Sequence, residues 1–261
     1  GMVGSSQMEK FVSKVQDAGA KLILLGDARQ LQPIAAGAAF RAIADDVGYV
    51  ELAGVRRQRE TWMQQGTIDF GSGRNAEAIA RYIENDMVHL EPDSQTARSH
   101  LIDNWSRDWE VGADVLMLAH RNVDVHALNQ SARELIKERG GLQDEHSFRT
   151  ARGVRQFAVG DRIVFLEKSR DLGVENGTFA VVEEAKRGRI SVQLADGRNV
   201  VVAQNDYANL DYGYAATIHK SQGATVDTVH VLASPSMDAH MTYVSLSHIE
   251  SRLNITLAEM N

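Results

Sequence analysis

Residues 5–19 carry their apolar positions at Met8, Phe11, Val12, Val15 and Ala18, the three-to-four spacing of one helix face. A continuous apolar run over 21–25 follows and stops at Gly26 and Asp27, which predicts a buried strand feeding a loop over 26–33. Such a strand belongs inside a parallel sheet covered by helices on both faces, with its chemistry in the loop past its C-terminal end. The pattern then repeats. A strand is expected over 49–53, helices over 76–84 and 97–109, a second buried strand over 114–119, and a helix over 122–139 with Val125, Leu128, Ala132 and Leu135 on one face. Alternation of this kind predicts a doubly wound α/β architecture.

From about residue 149 the period shortens to two. Alternating runs over 162–166, 178–182, 189–194 and 199–203 are separated by turns ending at Gly177, Gly188 and Gly197, two of them Asn-Gly or Asp-Gly. These are hairpin signals, and together they predict a small antiparallel barrel. Runs over 212–217 and 228–232 return to the α/β pattern, so the barrel is expected as an insertion over 149–207.

Composition narrows the function classes. The 261 residues are 43% hydrophobic and 24% charged, enough for one large or two modest cores, which excludes disorder. Cysteine is absent, so disulfides, thiolate zinc sites and cysteine nucleophiles are excluded together, and a reducing, cytoplasmic setting is expected. No apolar run approaches the roughly 18 residues of a membrane span, so a soluble protein without a membrane partner is expected. With 28 basic against 35 acidic residues the formal charge is -7, which argues against a globally phosphate-coating surface and leaves room for local contacts.

Two segments could carry chemistry. The loop over 26–33 gathers Asp27, Arg29 and Gln30 just past the predicted strand, although an ordinary turn capped by Asp27 and stopped by Pro33 would read the same way. The second segment, 214–223, crowds Thr217, His219, Lys220, Ser221 and Gln222 ahead of Gly223. Donors of this kind suit phosphate oxygens and ribose hydroxyls, and the plainer alternative is a polar helix start. His219, His230, His240 and His248 lack the spacing of a metal site and read as core or surface residues. Trp105 and Trp109, four apart on a predicted helix, read as core rather than as a platform for bases.

Taken in order, G-D-x-x-Q-L-x-P from Gly26, L-x-x-x-R-R-Q from Leu52 and Y-A-x-T-x-H-K-S-Q-G from Tyr214 resemble superfamily 1 DNA helicases of the RecD-like branch, in particular the helicase part of TraA-type conjugative relaxases. Segments 157–165 and 172–178 resemble that family's inserted Src-homology-3-like β-barrel. The resemblance implies an α/β fold of RecA-like (P-loop NTPase-type) parallel sheets. Residues 1–48 would then be a remnant of the first RecA-like domain, 49–148 and 208–261 the second, and 149–207 the inserted barrel. It further implies that ATP and Mg lie between the two RecA-like domains while single-stranded DNA is ratcheted across both. Asp27, Gln30, Arg57 and Gly223 would face ATP, and Thr217, His219, Lys220, Ser221 and Gln222 would face the nucleic acid, with the barrel guiding the strand.

The chain also departs from that family. No G-x-x-x-x-G-K-[ST] string occurs, and Asp144-Glu145 does not follow an apolar strand as a magnesium-binding pair would. In relatives the acidic pair precedes Ala-Gly-Met-Val, and this sequence opens Gly1-Met2-Val3, which implies a start just past the magnesium site. Where relatives carry Y-V-A-L-S-R-H-R, residues 243–250 put His248 and Glu250 at the two arginine positions. The expectation is the C-terminal part of an ATP-dependent DNA helicase of conjugative transfer, which alone neither hydrolyses ATP nor binds ATP or Mg tightly. Its expected partners are single-stranded DNA and either the N-terminal helicase half or a second copy, one of which would cover the apolar faces of the first 45 residues unless these pack on the second domain. The rival reading is a non-enzymatic nucleic-acid or protein binding module.

Overall fold

The computed structural model describes residues 3–27, 38–50, 58, 60–221, 226–237, 241–242, 244–245 and 249–258. The chain divides into two compact units, one of residues 1–85 with 237–247 and one of 86–236 with 248–261.

The regular structure described in the first unit is helical. It contains α1 (Ser5–Asp17), α2 (Ala39–Val47), α3 (Thr61–Gly71) and α4 (Asn75–Glu84). Helix α1 matches its expected apolar spacing, yet Met8 is its one buried residue and Phe11 stays half exposed. The predicted strand over 21–25 is not formed: residues 20–27 have no regular structure, and Ile23 and Leu25 are 71% and 89% exposed. An apolar run becomes a strand only when a neighbouring strand takes its backbone groups, and among the described residues none pairs with it. Tyr49 and Val50 of the second predicted strand are likewise irregular and exposed, and 51–53 lie outside the described residues.

Helices α3 and α4 form a tighter pair. Buried Tyr82 lies edge-on to Trp62 at 5.2 Å and passes so close to Gly66 that a Cβ there would sit 3.0 Å from its ring. Asp69 on α3 accepts bonds from Gln65, Arg74 and Arg81, and the Arg81 guanidinium, followed by that of Arg74, lowers its carboxyl from the usual 3.8 to about 2. A carboxyl with a depressed folded pKa adds stability that is complete above its unfolded value and vanishes as pH falls through the folded one. Thermal melting of the wild type is therefore expected to decline as pH drops from 3.8 toward about 2, and Asp69→Asn to be less stable at neutral pH and to lose that part of the decline.

The second unit holds a parallel sheet. Its strands are β1 (Val88–Glu91), β2 (Val115–Ala119), β10 (Ala215–Thr217), β11 (Val226–Leu232) and β12 (Ile249–Ala258), in the order β1-β12-β11-β2-β10. Helix α5 (Ser94–Glu110) follows β1, and α6 (Asn122–Glu138) follows β2, close to the expected bounds of both. Asp93 caps α5 by accepting from the N–H groups of Gln95 and Thr96 at 2.8 Å. All of β2 is buried, as a strand covered on both faces must be. Trp105, Leu101, Met117, Leu128 and Ile136 share the core between this sheet and its two helices.

Between α6 and β10 the chain forms an antiparallel module. The β3 (His146–Thr150) and β4 (Gly153–Phe157) hairpin pairs separately from a five-stranded sheet of order β8-β7-β6-β5-β9, comprising β5 (Arg162–Phe165), β6 (Phe179–Lys186), β7 (Arg189–Leu194), β8 (Asn199–Ala203) and β9 (Leu210–Tyr212). Phe148, Phe157 and Phe165 are fully buried in one core with the strands' inward valines and isoleucines. The expected run over 212–217 is in fact divided between the two sheets, β9 ending at Tyr212 and β10 starting at Ala215. The break falls at Gly213, where a Cβ would lie 2.6 Å from the Ile163 backbone, so the crossing point has no space for a side chain.

Candidate nucleic-acid interface

Ligands of open parallel sheets bind beyond the carboxyl ends of the strands. Thr217 is the last residue of β10, and 218–221 turn immediately after it, with the N–H groups of Lys220 and Ser221 both donating to the Thr217 carbonyl. The strand leading into this turn is held by side chains. Asn129 of α6 accepts from the Ala215 N–H and donates to the Ala215 carbonyl, both at 2.9 Å, so it takes the place of a second neighbouring strand, which β10 does not have among the described residues. The Tyr214 hydroxyl donates to fully buried Asp161 at 2.7 Å, and Asp161 also accepts from Nε and Nη2 of Arg133. From the other side Gly177, at φ +87°, comes so close that a Cβ would lie 2.5 Å from the Lys220 carbonyl oxygen.

The turn sorts the predicted residues. Thr217 and Ser221 are buried, and the Ser221 hydroxyl donates back to the Ile218 carbonyl at 2.9 Å, a bond that shapes the turn. His219 and Lys220 are half-buried. Lys220 lines a pocket with Asn122, His126, Arg152, Asp211 and Tyr212, and it makes no salt bridge among the described residues. Burial first, and then the charge of Arg152, push its amine below the ordinary lysine range against a weaker pull from Asp211. Asp27 stands at the end of the irregular segment 20–27, whereas Gln30, Arg57, Gln222 and Gly223 lie outside the described residues.

Sequence reasoning passed over Arg152, Asn122 and Asn129, because nothing local marks them and the fold alone brings them to the turn. It also passed over Arg121, just past β2, which donates to Asp124 at 2.7 and 3.1 Å. The acidic pair at 144–145 is engaged elsewhere: Glu145 bridges Arg133 and Lys137, and Asp144 has a left-handed backbone. His230 is core, as expected, bonded to Asp108 at 2.9 Å.

Over 258 residues the chain is 49% identical to the conjugal transfer protein TraA of Agrobacterium fabrum (strain C58), covering 98% of this chain and 24% of that protein. It is a TraA-type, superfamily 1 helicase-like relative. This TraA-type chain thus spans about a quarter of the length of the curated relatives it matches. Its residues 1–93 match a family described as an AAA domain. It is 27% identical over 262 residues to the ATP-dependent RecD2 DNA helicase of Deinococcus radiodurans, covering 96% of this chain and 34% of that one. A crystal structure of Bacteroides Pif1 bound to single-stranded DNA superposes with a TM-score of 0.65 at 17% identity, over 97% of this chain and 68% of that one. With the parallel sheet, that likeness identifies the fold of the TraA-type chain as α/β and RecA-like.

Proposed function

We propose that this chain is the C-terminal portion of an ATP-dependent DNA helicase of conjugative DNA transfer, working in the cytoplasm on single-stranded DNA. Residues 49–148 and 208–261 act as the second RecA-like domain, 1–48 belong to the first, and 149–207 are an inserted Src-homology-3-like barrel that guides the strand. Thr217, His219, Lys220, Ser221 and Gln222 serve the nucleic acid, Thr217 and Ser221 by shaping the turn and the others by contact. Asp27, Gln30, Arg57 and Gly223 contribute one side of an ATP cleft. The observation that carries this reading is the half-buried Lys220, which lies beyond the carboxyl end of β10 and makes no salt bridge among the described residues, Asp211 of the same pocket being engaged by Arg155. The exposed apolar residues Ile23 and Leu25 support a further polypeptide covering the first 45 residues, either the N-terminal helicase half or a second copy.

ATP and Mg are used by the complete enzyme of this reading, in which ATP supplies phosphoryl transfer as the energy source. The residues present do not suffice for that step. The phosphate-cradling glycine loop with its lysine does not occur in the sequence, and His248 and Glu250 stand where the resemblance calls for arginines. With single-stranded DNA present, the chain alone is therefore expected to show steady-state ATP turnover well below about one per second. Turnover at or above that rate would refute the proposal of an incomplete cleft.

A further inference from the structure

Arg152 reaches the pocket from the turn that joins β3 to β4. That turn is fixed: the Thr150 hydroxyl accepts the Arg152 N–H at 3.1 Å and donates to the Gly153 carbonyl at 2.7 Å, and the Ala151 N–H donates to the Ala208 carbonyl at 2.8 Å. The pocket therefore has one wall from the antiparallel module and another from the parallel sheet and the first turns of α6. Two cations, Arg152 and Lys220, face it, together with His126 and the Asp211 carboxylate.

Asp211 does not neutralise both cations. It receives Arg155 through Nε at 2.9 Å and Nη2 at 3.3 Å, and lies 3.5 Å from Arg152. One carboxylate thus serves two arginines and Lys220 is left over. The repulsion of Lys220 by Arg152 outweighs its attraction to Asp211. Like charges that converge in a half-buried pocket raise each other's free energy, and an anion placed between them relieves that cost. The start of α6, where Asn122 lines the same pocket, adds the positive end of a helix dipole.

We infer that Arg152 and Lys220 form a single seat for one backbone phosphate of a single-stranded nucleic acid, held jointly by the inserted module and the parallel sheet. A guanidinium fork suits the two non-bridging oxygens, and an ammonium completes the seat as a point charge. The inference rests on the proposed role of the His219–Lys220 turn and adds a residue that the turn's sequence does not contain.

The test is anisotropy of a labelled oligothymidylate over a salt series, with the wild type, Arg152→Ala, Arg152→Lys, Lys220→Ala and the Arg152→Ala/Lys220→Ala double variant. The Arg152 side chain is 47% exposed, so its replacement leaves the fold intact, and a thermal melt checks this. Each alanine variant is expected to flatten the slope of log affinity against log salt, and the double variant to flatten it by about 0.7 and no more, the value for one single-strand phosphate. Arg152→Lys should keep most of the slope. A double variant that flattens it by about 1.4, the value for two phosphates, would overturn the shared seat. Wild-type binding by Arg152→Ala beside weak binding by Lys220→Ala would overturn the inference and leave the turn's role standing. If neither position alters binding, the proposed role of the turn falls as well.

Discussion

Replacing Arg133 by alanine is expected to destabilise the second unit by about 3–5 kcal/mol, the usual consequence of removing one partner of a buried ion pair. The guanidinium donates to both oxygens of Asp161 at 3.0 Å, and Asp161 is fully buried. With the arginine gone, that carboxylate keeps the Ala158 N–H and the Tyr214 hydroxyl but, among the described residues, has no other cation in contact. The Tyr212 ring, 4.9 Å below the guanidinium, would lose its cover too. Because the charge left behind is the main cost, the Arg133→Met/Asp161→Asn double variant should recover most of the loss. Urea unfolding of the two variants beside the wild type measures this. A cost for Arg133→Ala below about 1 kcal/mol, the range of solvent-screened surface pairs, would show that the junction is wetter than its geometry implies.

The second large effect is expected at Trp105. Its side chain is 1% exposed, stacks on Trp109 at 6.1 Å and meets the edge of Tyr214 at 6.0 Å. Trp105→Ala should cost about 3–5 kcal/mol through lost burial and the cavity left between α5 and the sheet. The indole N–H has no hydrogen-bond partner among the described residues. Trp105→Phe therefore forfeits packing without breaking a bond, and should cost clearly less than the alanine variant. Equal costs for the two in denaturant unfolding would contradict the assignment of the loss to ring burial and the cavity.

Periodicity was enough for the elements whose apolar faces meet a core directly. Helices α5 and α6, strand β2 and strands β5 to β8 all lie within a few residues of their predicted places, and the glycines closing the hairpins have positive φ at 177, 188 and 197. Failures came where tertiary context decides. The run over 21–25 has strand composition, but a strand needs a neighbour. The run over 212–217 looks continuous, yet it serves two sheets, and only the approach to Ile163 at Gly213 reveals the break. Strand β12 was hidden because polar Asn254 and Thr256 are buried within it and mask the apolar signal. At the candidate site the string around Lys220 was legible as donors ahead of a glycine. Arg152 was not, since a lone arginine in a hairpin turn carries no local mark and acquires meaning only through the fold.

Hydrogen–deuterium exchange of the whole chain, with and without a single-stranded oligonucleotide at saturating concentration, reports which surface the strand covers. Protection on DNA binding should concentrate in 217–222 and in the β3–β4 turn around Arg152, with the α3–α4 pair unchanged. Protection confined to other surfaces, or an identical exchange pattern with and without the strand, would contradict the assignment of this sheet edge to nucleic acid.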